Sequence, residues 1–306
     1  MRIGIMVGGV AGDVERQVQQ VADIEADGFD AAWFGQVFDT DVMTVIALAG
    51  QRTSRIELGT AVVPVYTRHP HVMAQQALTT QAATGGRFTL GVGLSHHMVV
   101  ENMWGLSYEK PARYMREYLS VLLPLIAEGK VAFQGQVFRV NANLNVRVPK
   151  QPSVMVAALA PQMLKLAGSR ADGTLTWMTG VKAVDTHVRP SITAAAQEAG
   201  RPAPRIGVGL PVAVTDDAAA ARETVSRLFA IYGQLPNYRR MLDKEGAAGP
   251  ADVAIVGSER EVERHVRDLA SAGATDFFAA MFPVGSDPQA SLARTRELLK
   301  SLVGRV

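Results

Sequence analysis

Short apolar runs alternate with amphipathic stretches along the whole chain. The first run, Ile3–Val7, has no helical period, whereas the stretch after it, Val14–Asp27, repeats its apolar residues at helical spacing. Short continuous apolar runs are typical of parallel strands that are buried on both faces. The pattern predicts eight strands, at Ile3–Val7, Ala31–Gly35, Ile56–Val62, Phe88–Val92, Ser153–Ala157, Thr174–Trp177, Ile206–Val214 and Asp276–Phe282.

The stretches between these strands are predicted helices. Gly28, Gly85-Gly86 and Gly273 stand where helices should end, since glycine readily adopts the left-handed conformation of a C-terminal cap. This even alternation predicts an α/β fold with a single domain over residues 1–306, a (β/α)8 TIM barrel. A doubly wound sheet is the alternative, and the lack of a dinucleotide fingerprint after the first strand disfavours it. The predicted helices include Val14–Asp27, His71–Thr84, Met163–Arg170, Asp216–Ile231 and Glu259–Ala272.

Two connections are longer than a barrel requires. Between strands four and five, a helix at about 111–128 is followed by Val131–Val140, which is typical of a hairpin that turns at Gln134-Gly135. Between strands seven and eight, Tyr232–Pro250 is polar and only weakly periodic, which favours a long loop. Long loops on the catalytic face of a barrel commonly act as lids or specificity elements.

Composition excludes several classes of protein. No apolar run approaches the about 20 residues of a membrane span, and the net charge of +2 comes without a basic stripe typical of nucleic-acid binding. The chain has no cysteine, which excludes disulfides and thiolate metal sites. Met1-Arg2 leads directly into a strand rather than into a signal peptide. We therefore expect a cytoplasmic protein that acts on a small molecule.

Histidines gather near the ends of the third and fourth predicted strands. Four of the six histidines lie there, and the C-terminal ends of barrel strands carry the active site in this fold. Zinc bound by histidines and a carboxylate is one hypothesis, but the first and eighth strands end without a ligand, so no metal site is predicted. The four histidines are His69, His71, His96 and His97.

His96 is the candidate for acid–base chemistry. His96 and His97 are neighbours, so in an extended segment their side chains point in opposite directions and only one faces the barrel mouth. Histidine titrates in the range that is useful for proton transfer. The alternative is that His96 is solvated or only shapes its loop.

A second candidate site follows the fifth strand. Val154–Met163 contains a strand, a turn of small residues and a helix with Pro161 near its start. Unpaired backbone amides at such a helix start favour binding of a phosphate. The sequence therefore predicts an anion site near Leu159–Gln162, with Lys182 and Arg68 as weaker candidates for additional positive charge.

In their order and spacing these junctions resemble the luciferase-like proteins of the bacterial luciferase superfamily, and within it the branch that uses the deazaflavin coenzyme F-420. The resemblance extends over essentially the whole chain, including the hairpin after strand four. It rests on Leu58-Gly59-Thr60-Ala61-Val62 with Arg68-His69-Pro70, Gly86-Arg87-Phe88 through Gly91-Val92-Gly93, Ser95-His96, Val156-Ala157-Ala158 with Leu166-Ala167-Gly168, and Ala171-Asp172-Gly173.

The resemblance implies a homodimeric barrel with the deazaflavin ring at its C-terminal mouth. It also implies a non-prolyl cis peptide at Ala61-Val62, backbone amides that hold the cofactor phosphate around Ala157–Ala160, and a proton-transfer residue at His96. The expected cofactor-binding residues are Gln36, Thr60, Ala61, Val62, Leu94, Ser95, His96, Ala157, Ala158, Leu159, Ala160 and Gln162.

One junction departs from the sugar-phosphate dehydrogenases of this group. They carry an Asp-His pair after strand two, where this chain has Gly35-Gln36, and their acidic residue after strand four is replaced by His96. The resemblance therefore implies hydride transfer between reduced F-420 and an activated C=C bond, imine or carbonyl, but not on a sugar phosphate. An FMN-dependent monooxygenase is the main alternative; a non-catalytic F-420-binding protein and a metal-dependent hydrolase are the others.

Overall fold

A closed barrel of eight parallel strands forms the centre of the computed structural model, which describes residues 1–9 and 12–306. Each strand pairs with the next one along the chain, and the eighth pairs with the first. The predicted (β/α)8 barrel is confirmed, and every predicted strand is present. We number the strands β1 Arg2–Met6, β2 Ala31–Phe34, β3 Glu57–Thr60, β4 Phe88–Gly93, β5 Ser153–Ala157, β6 Gly173–Trp177, β7 Arg205–Val214 and β8 Asp276–Met281.

Helices lie between these strands. The five helices predicted above are present to within about two residues, except that the one predicted to end at Ile231 ends at Leu228. Among the described residues no helix is both long and apolar enough to cross a membrane. The α-helices are Val14–Ala26, Val42–Arg52, Pro70–Ala83, Pro111–Glu128, Pro161–Arg170, Val181–Ala183, Arg189–Glu198, Ala218–Leu228, Pro236–Glu245, Pro250–Val253, Glu259–Ser271 and Pro288–Leu302; Val99–Met103 and Val184–Val188 are π-helices and Ala230–Gly233 is a 3₁₀-helix.

The connection between β4 and β5 contains the predicted hairpin. Strands Lys130–Gln134 and Arg139–Asn143 pair antiparallel, but the turn spans the four residues 135–138 rather than a tight pair at Gln134-Gly135. The reason is Glu117, whose carboxylate accepts hydrogen bonds from three backbone amides of this turn. Two shorter strands, Val63–Pro64 and Ile255–Gly257, pair with β4 and β7 respectively.

The prediction of a long loop between β7 and β8 was wrong. Most of residues 232–250 is helical, and the helix Pro236–Glu245 begins with a proline at its first position and ends before Gly246, which has a φ of 82°. Only Met241 and Leu242 of this helix are buried, and most of its ten residues are polar or charged. The helix places the aromatic side chain of Tyr238 at the mouth of the barrel.

Large side chains fill the barrel interior because glycines stand beside them. A Cβ atom on Gly59 would lie 2.4 Å from the ring of Trp33, and a Cβ atom on Gly209 would lie 2.0 Å from the ring of Phe278. Trp33 and Phe278 pack with ring centroids 5.6 Å apart, together with Leu175. This packed layer closes the barrel below its C-terminal mouth.

A network of ionised side chains closes the opposite end of the barrel. Arg205 of β7 donates two hydrogen bonds to Asp276 of β8, with N–O distances of 2.6 and 3.2 Å, and a third to Glu57 of β3. Arg2 of β1 contacts both carboxylates. Burial opposes ionisation of Asp276, but the hydrogen bonds and charge of Arg205 outweigh it, so the pKa of Asp276 is lowered.

Candidate functional site

A cavity of about 460 Å³ opens at the C-terminal ends of the barrel strands. Every barrel strand, or the segment that follows it, contributes to its wall, as expected for the catalytic end of this fold. The lining residues are Met6, Gly35, Gln36, Val37, Phe38, Ala61, Val62, Pro64, Gly93, Leu94, Ser95, His96, Met98, Val99, Trp104, Tyr108, Ala157, Ala158, Leu159, Ala160, Met163, Leu175, Thr176, Trp177, Ile231, Tyr232, Leu235, Asn237, Tyr238 and Phe278.

Small residues from three neighbouring strands form one wall of this cavity. The peptide bond between Ala61 and Val62 is cis, which confirms the prediction made for this position. A Cβ atom on Gly93 would lie 2.6 Å from a methyl group of Val62 and 3.3 Å from the Cβ of Ala157. Any larger side chain at residue 93 would therefore crowd this wall. We call the wall the small-residue bed and define it as Ala61, Val62, Gly93, Ala157 and Ala158.

Thr60 is the predicted site residue that lines neither this cavity nor the second one described below. Its side chain is fully buried, and its hydroxyl both donates to the carbonyl of Gly91 and accepts from the amide of Gly91, each at 2.8 Å. A Cβ atom on Gly91 would lie 1.9 Å from the carbonyl oxygen of Thr60. Thr60 therefore links β3 to β4 beneath the small-residue bed.

The two adjacent histidines face different environments. His96 lines the cavity and is partly buried, whereas the His97 side chain is 67% exposed and pairs with Glu101 at 3.0 Å. Burial lowers the pKa of His96 below its ordinary value. Neither ring nitrogen of His96 has a hydrogen-bond partner among the described residues, so both are available to a ligand.

Aromatic side chains extend from His96 along the side of the cavity formed by β6 and the helix Pro236–Glu245. The rings of His96 and Tyr238 lie 5.8 Å apart, those of Tyr238 and Tyr232 4.9 Å, and those of Tyr232 and Trp177 6.0 Å. Burial raises the pKa of Tyr238, which keeps its phenol neutral. The buried indole nitrogen of Trp177 makes no hydrogen bond within the described part of the chain. Sequence reasoning missed the two tyrosines because they lie on the connection that it took for a loop.

A second cavity of about 560 Å³ adjoins the first, with which it shares Leu94, Tyr108, Ala160, Met163 and Asn237. It reaches the start of the helix Pro161–Arg170, where the predicted residue Gln162 lines it. Within the described residues, the amides of Leu159, Ala160 and Gln162 donate to no other group of the protein. The predicted anion site thus has unpaired donors that face a cavity.

The turn that carries these amides is held from two sides. The Nε2–H of His187 donates to the carbonyl of Leu159 at 2.8 Å, and the hydroxyl of Thr174 donates to the carbonyls of Val156 and Ala158. Sequence reasoning gave no role to His187, because the hydrogen bond spans 28 residues. The histidine therefore positions the turn rather than lining the cavity.

The other charged and histidine candidates lie elsewhere. Arg68 forms an ion pair with Asp41, and Lys182 lines neither cavity. His69 caps the helix Pro70–Ala83, where its ring nitrogen accepts from the amide of His71 at 3.3 Å. In the part of the chain that the structure describes, no three histidine, aspartate or glutamate side chains gather in a group that could hold a metal ion.

Comparisons with known proteins agree with this geometry. The family model described as luciferase-like monooxygenase matches residues 1–305. A putative coenzyme F-420-dependent oxidoreductase of Mycobacterium tuberculosis is 27% identical over 259 residues, which are 76% of this chain and 72% of that protein.

Two solved structures share the fold over nearly the full length of both chains, with 18% identity in each case. An F-420-dependent secondary alcohol dehydrogenase in complex with an F-420–acetone adduct has a TM-score of 0.83 (97% of each chain), and a type II Baeyer–Villiger monooxygenase of Pseudomonas putida with FMN has a TM-score of 0.76 (100% of this chain, 98% of that one).

Proposed function

Because the chain belongs to the luciferase-like monooxygenase family and is an oxidoreductase, we propose that it transfers hydride between coenzyme F-420 and a small organic substrate. The observation that carries this proposal is the cavity at the barrel mouth. The small-residue bed and His96 line this one cavity, and the ring nitrogens of His96 are unpaired among the described residues. The adjoining second cavity is lined by residues of the turn after β5, which carries the unpaired amides. The named activities of the M. tuberculosis relative and of the alcohol dehydrogenase favour F-420 over FMN.

The residues of the site fit a flat cofactor with a phosphate. The small-residue bed leaves room for a ring system close to the backbone, since a side chain at Gly93 would collide with Val62. The amides of Leu159, Ala160 and Gln162 are donors at the positive end of a helix, where anions bind favourably. Leu94, Ser95 and Gln36 line the same cavity and would contact the bound cofactor.

When bound, F-420 supplies or accepts a hydride at C5 of the deazaflavin. The protein provides the proton: in carbonyl reduction, protonated His96 donates to the substrate oxygen, and in alcohol oxidation neutral His96 accepts the hydroxyl proton. Tyr238 and Trp177 surround this position with aromatic side chains and limit access of water. A sugar phosphate is disfavoured because Gly35-Gln36 stands where the sugar-phosphate enzymes carry an Asp-His pair, and because His96 stands in place of their acidic residue after strand four.

Anaerobic mixing with reduced F-420 tests the proposal. We expect some neutral ketones, aldehydes or enones to restore the violet absorbance of oxidised F-420 in the presence of the protein. Tight binding of F-420 without any turnover, over a broad panel of activated C=C, imine and carbonyl compounds, would contradict the proposal and favour a non-catalytic binding protein.

An FMN-dependent monooxygenase is the second candidate. The structural similarity to the Baeyer–Villiger enzyme with FMN favours it, because the two chains share the fold over nearly their full lengths. Oxygen consumption that requires reduced FMN and a ketone, with no turnover of reduced F-420, would establish this alternative.

The pH dependence should report the ionisation of His96. Burial lowers the pKa of His96 below about 6.5. Carbonyl reduction needs the protonated form, so kcat/KM should fall as pH rises through this lowered pKa. Alcohol oxidation needs the neutral form, so its kcat/KM should rise over the same interval. Profiles in both directions, measured for the wild type and for His96→Gln, test this. The same limbs in the variant would show that another group titrates.

Replacement of His187 should weaken cofactor binding without changing the chemistry. His187→Ala removes the hydrogen bond to the Leu159 carbonyl, and a net contribution of about 0.5–1.5 kcal/mol corresponds to a Kd for F-420 that is about 2- to 10-fold higher. Thr186→Ala is the matched control, since Thr186 lies on the same π-helix and its hydroxyl donates to the carbonyl of Lys182. Equal effects of both variants on Kd would remove the positioning role.

A further inference from the structure

The lining of the two cavities lacks ionised side chains. Among the described residues that form either wall, there is no aspartate, glutamate, lysine or arginine. Some of the polar side chains in the lining are already hydrogen-bonded within the protein. The hydroxyl of Thr176 donates to the Gly207 carbonyl at 3.2 Å, and that of Tyr108 donates to the Ser95 carbonyl at 3.4 Å.

Much of the remaining cavity lining is apolar and aromatic. Trp177, Tyr232 and Tyr238 form a continuous row of rings. Leu175 and Phe278 also line the cavity, and further large apolar residues of its lining include Val37, Phe38, Met98, Trp104, Ile231 and Leu235. Apolar walls with a few polar groups favour ligands of the same character, because an ion loses its hydration there without gaining a partner.

We propose that the substrate is an uncharged, mainly apolar carbonyl compound or the corresponding alcohol, and that the protein discriminates against carboxylated or phosphorylated analogues of the same shape. This proposal rests on the proposed function, because the unpaired amides after β5 are assigned to the cofactor phosphate and are not available to a substrate anion. In the reduction, the carbonyl carbon gains a hydride from reduced F-420 and the oxygen gains a proton from His96. The C=O double bond thereby becomes a C–O single bond, with one new C–H bond and one new O–H bond.

His96 is the one lining group that could attract an anion by becoming charged. Burial lowers its pKa, so it is neutral at pH 8 and offers only a hydrogen bond. Measurements at pH 8 therefore separate the effect of the uncharged wall from that of a protonated histidine.

Matched ligands test the proposal. Cyclohexanone, methyl 4-oxocyclohexanecarboxylate and 4-oxocyclohexanecarboxylate share a ring and a carbonyl, and only the last is ionised. At pH 8 we expect kcat/KM with reduced F-420 to be at least about 100-fold lower for the carboxylate than for its ester. Equal use of the ester and the carboxylate would overturn the proposal.

A binding measurement makes the test independent of turnover. Fluorescence of Trp104 and Trp177, which line the cavity, is followed while cyclohexanecarboxamide or cyclohexanecarboxylate is added with saturating inorganic phosphate present. If the amide binds at least about 100-fold more tightly than the carboxylate, the proposal about the substrate is supported. This holds even if the protein never oxidises reduced F-420, a result that would contradict only the proposed function. Equal binding of the two ligands overturns the proposal about the substrate.

A pair of charge-adding variants locates the discrimination. Met98 lines the cavity and is 52% exposed, so Met98→Arg keeps its guanidinium partly in water and should still fold. It should reduce the preference for the ester over the carboxylate by at least about tenfold. Met103→Arg adds the same charge on the same π-helix, at a residue that is 59% exposed and does not line either cavity, and should leave the preference unchanged. An equal change in both variants would contradict a role for the cavity wall.

Discussion

His96→Gln should lower turnover by about 10²–10⁴-fold, which is the usual contribution of a general acid or base. His96 is the only titratable histidine that lines the mouth cavity among the described residues, and its ring nitrogens have no partner in the protein. Glutamine retains a polar amide of similar size but transfers no proton. Binding of F-420 should change little, because the small-residue bed and the amides after β5 are untouched. Single-turnover measurements with reduced F-420 and saturating ketone give the rate of the chemical step.

His97→Gln is the matched control for this variant. His97 is the adjacent residue, but its side chain is exposed and pairs with Glu101, so turnover should change by less than about threefold. If His96→Gln abolishes F-420 binding and leaves the rate intact at saturating cofactor, His96 is a binding residue and the proton comes from another group.

Asp276→Asn should lower the free energy of unfolding by about 3–5 kcal/mol. The Asp276 side chain is 3% exposed and receives two hydrogen bonds from Arg205, so the variant leaves part of a buried positive charge without its partner. Urea unfolding of the wild type and the variant at pH 7 measures the difference.

The lowered pKa of Asp276 gives a second test. Its contribution should be complete above the unfolded value of about 3.9 and should be lost as the pH falls through the folded value.

Asp216→Asn is the control for the buried pair. Asp216 also pairs with an arginine, Arg294, but its side chain is 86% exposed, and a surface pair of this kind contributes at most about 1 kcal/mol. Equal losses in the two variants would show that the network at the base of the barrel stabilises the fold no more than a surface ion pair.

The barrel strands could be predicted from the sequence because each is buried on both faces and therefore appears as a continuous apolar run. The helix Pro236–Glu245 could not, since only two of its ten residues are buried and most of the others are polar or charged, as in a loop. Its start at Pro236 and its end before Gly246 were the available indications. The aromatic wall at the site was missed for the same reason, because Tyr238 lies on this helix and Tyr232 just before it.

The sequence indicates where the chain turns, but not where its side chains point. The small residues and Pro161 predict an anion site at the turn after β5, and Ala160 and Gln162 of this turn line the second cavity. Thr60 was placed correctly along the chain, but its side chain points toward β4 and hydrogen-bonds Gly91. His187 lies 28 residues from the carbonyl that it holds, and only the folded chain brings the two together.

Titration with F-420 and FMN, followed by fluorescence, tests the central claim most directly. The proposed function predicts that the purified protein binds F-420 more tightly than FMN, and that added reduced F-420 is then oxidised by a neutral ketone without oxygen. Tighter binding of FMN, together with oxygen-dependent turnover of the reduced flavin, would contradict the claim and identify a monooxygenase.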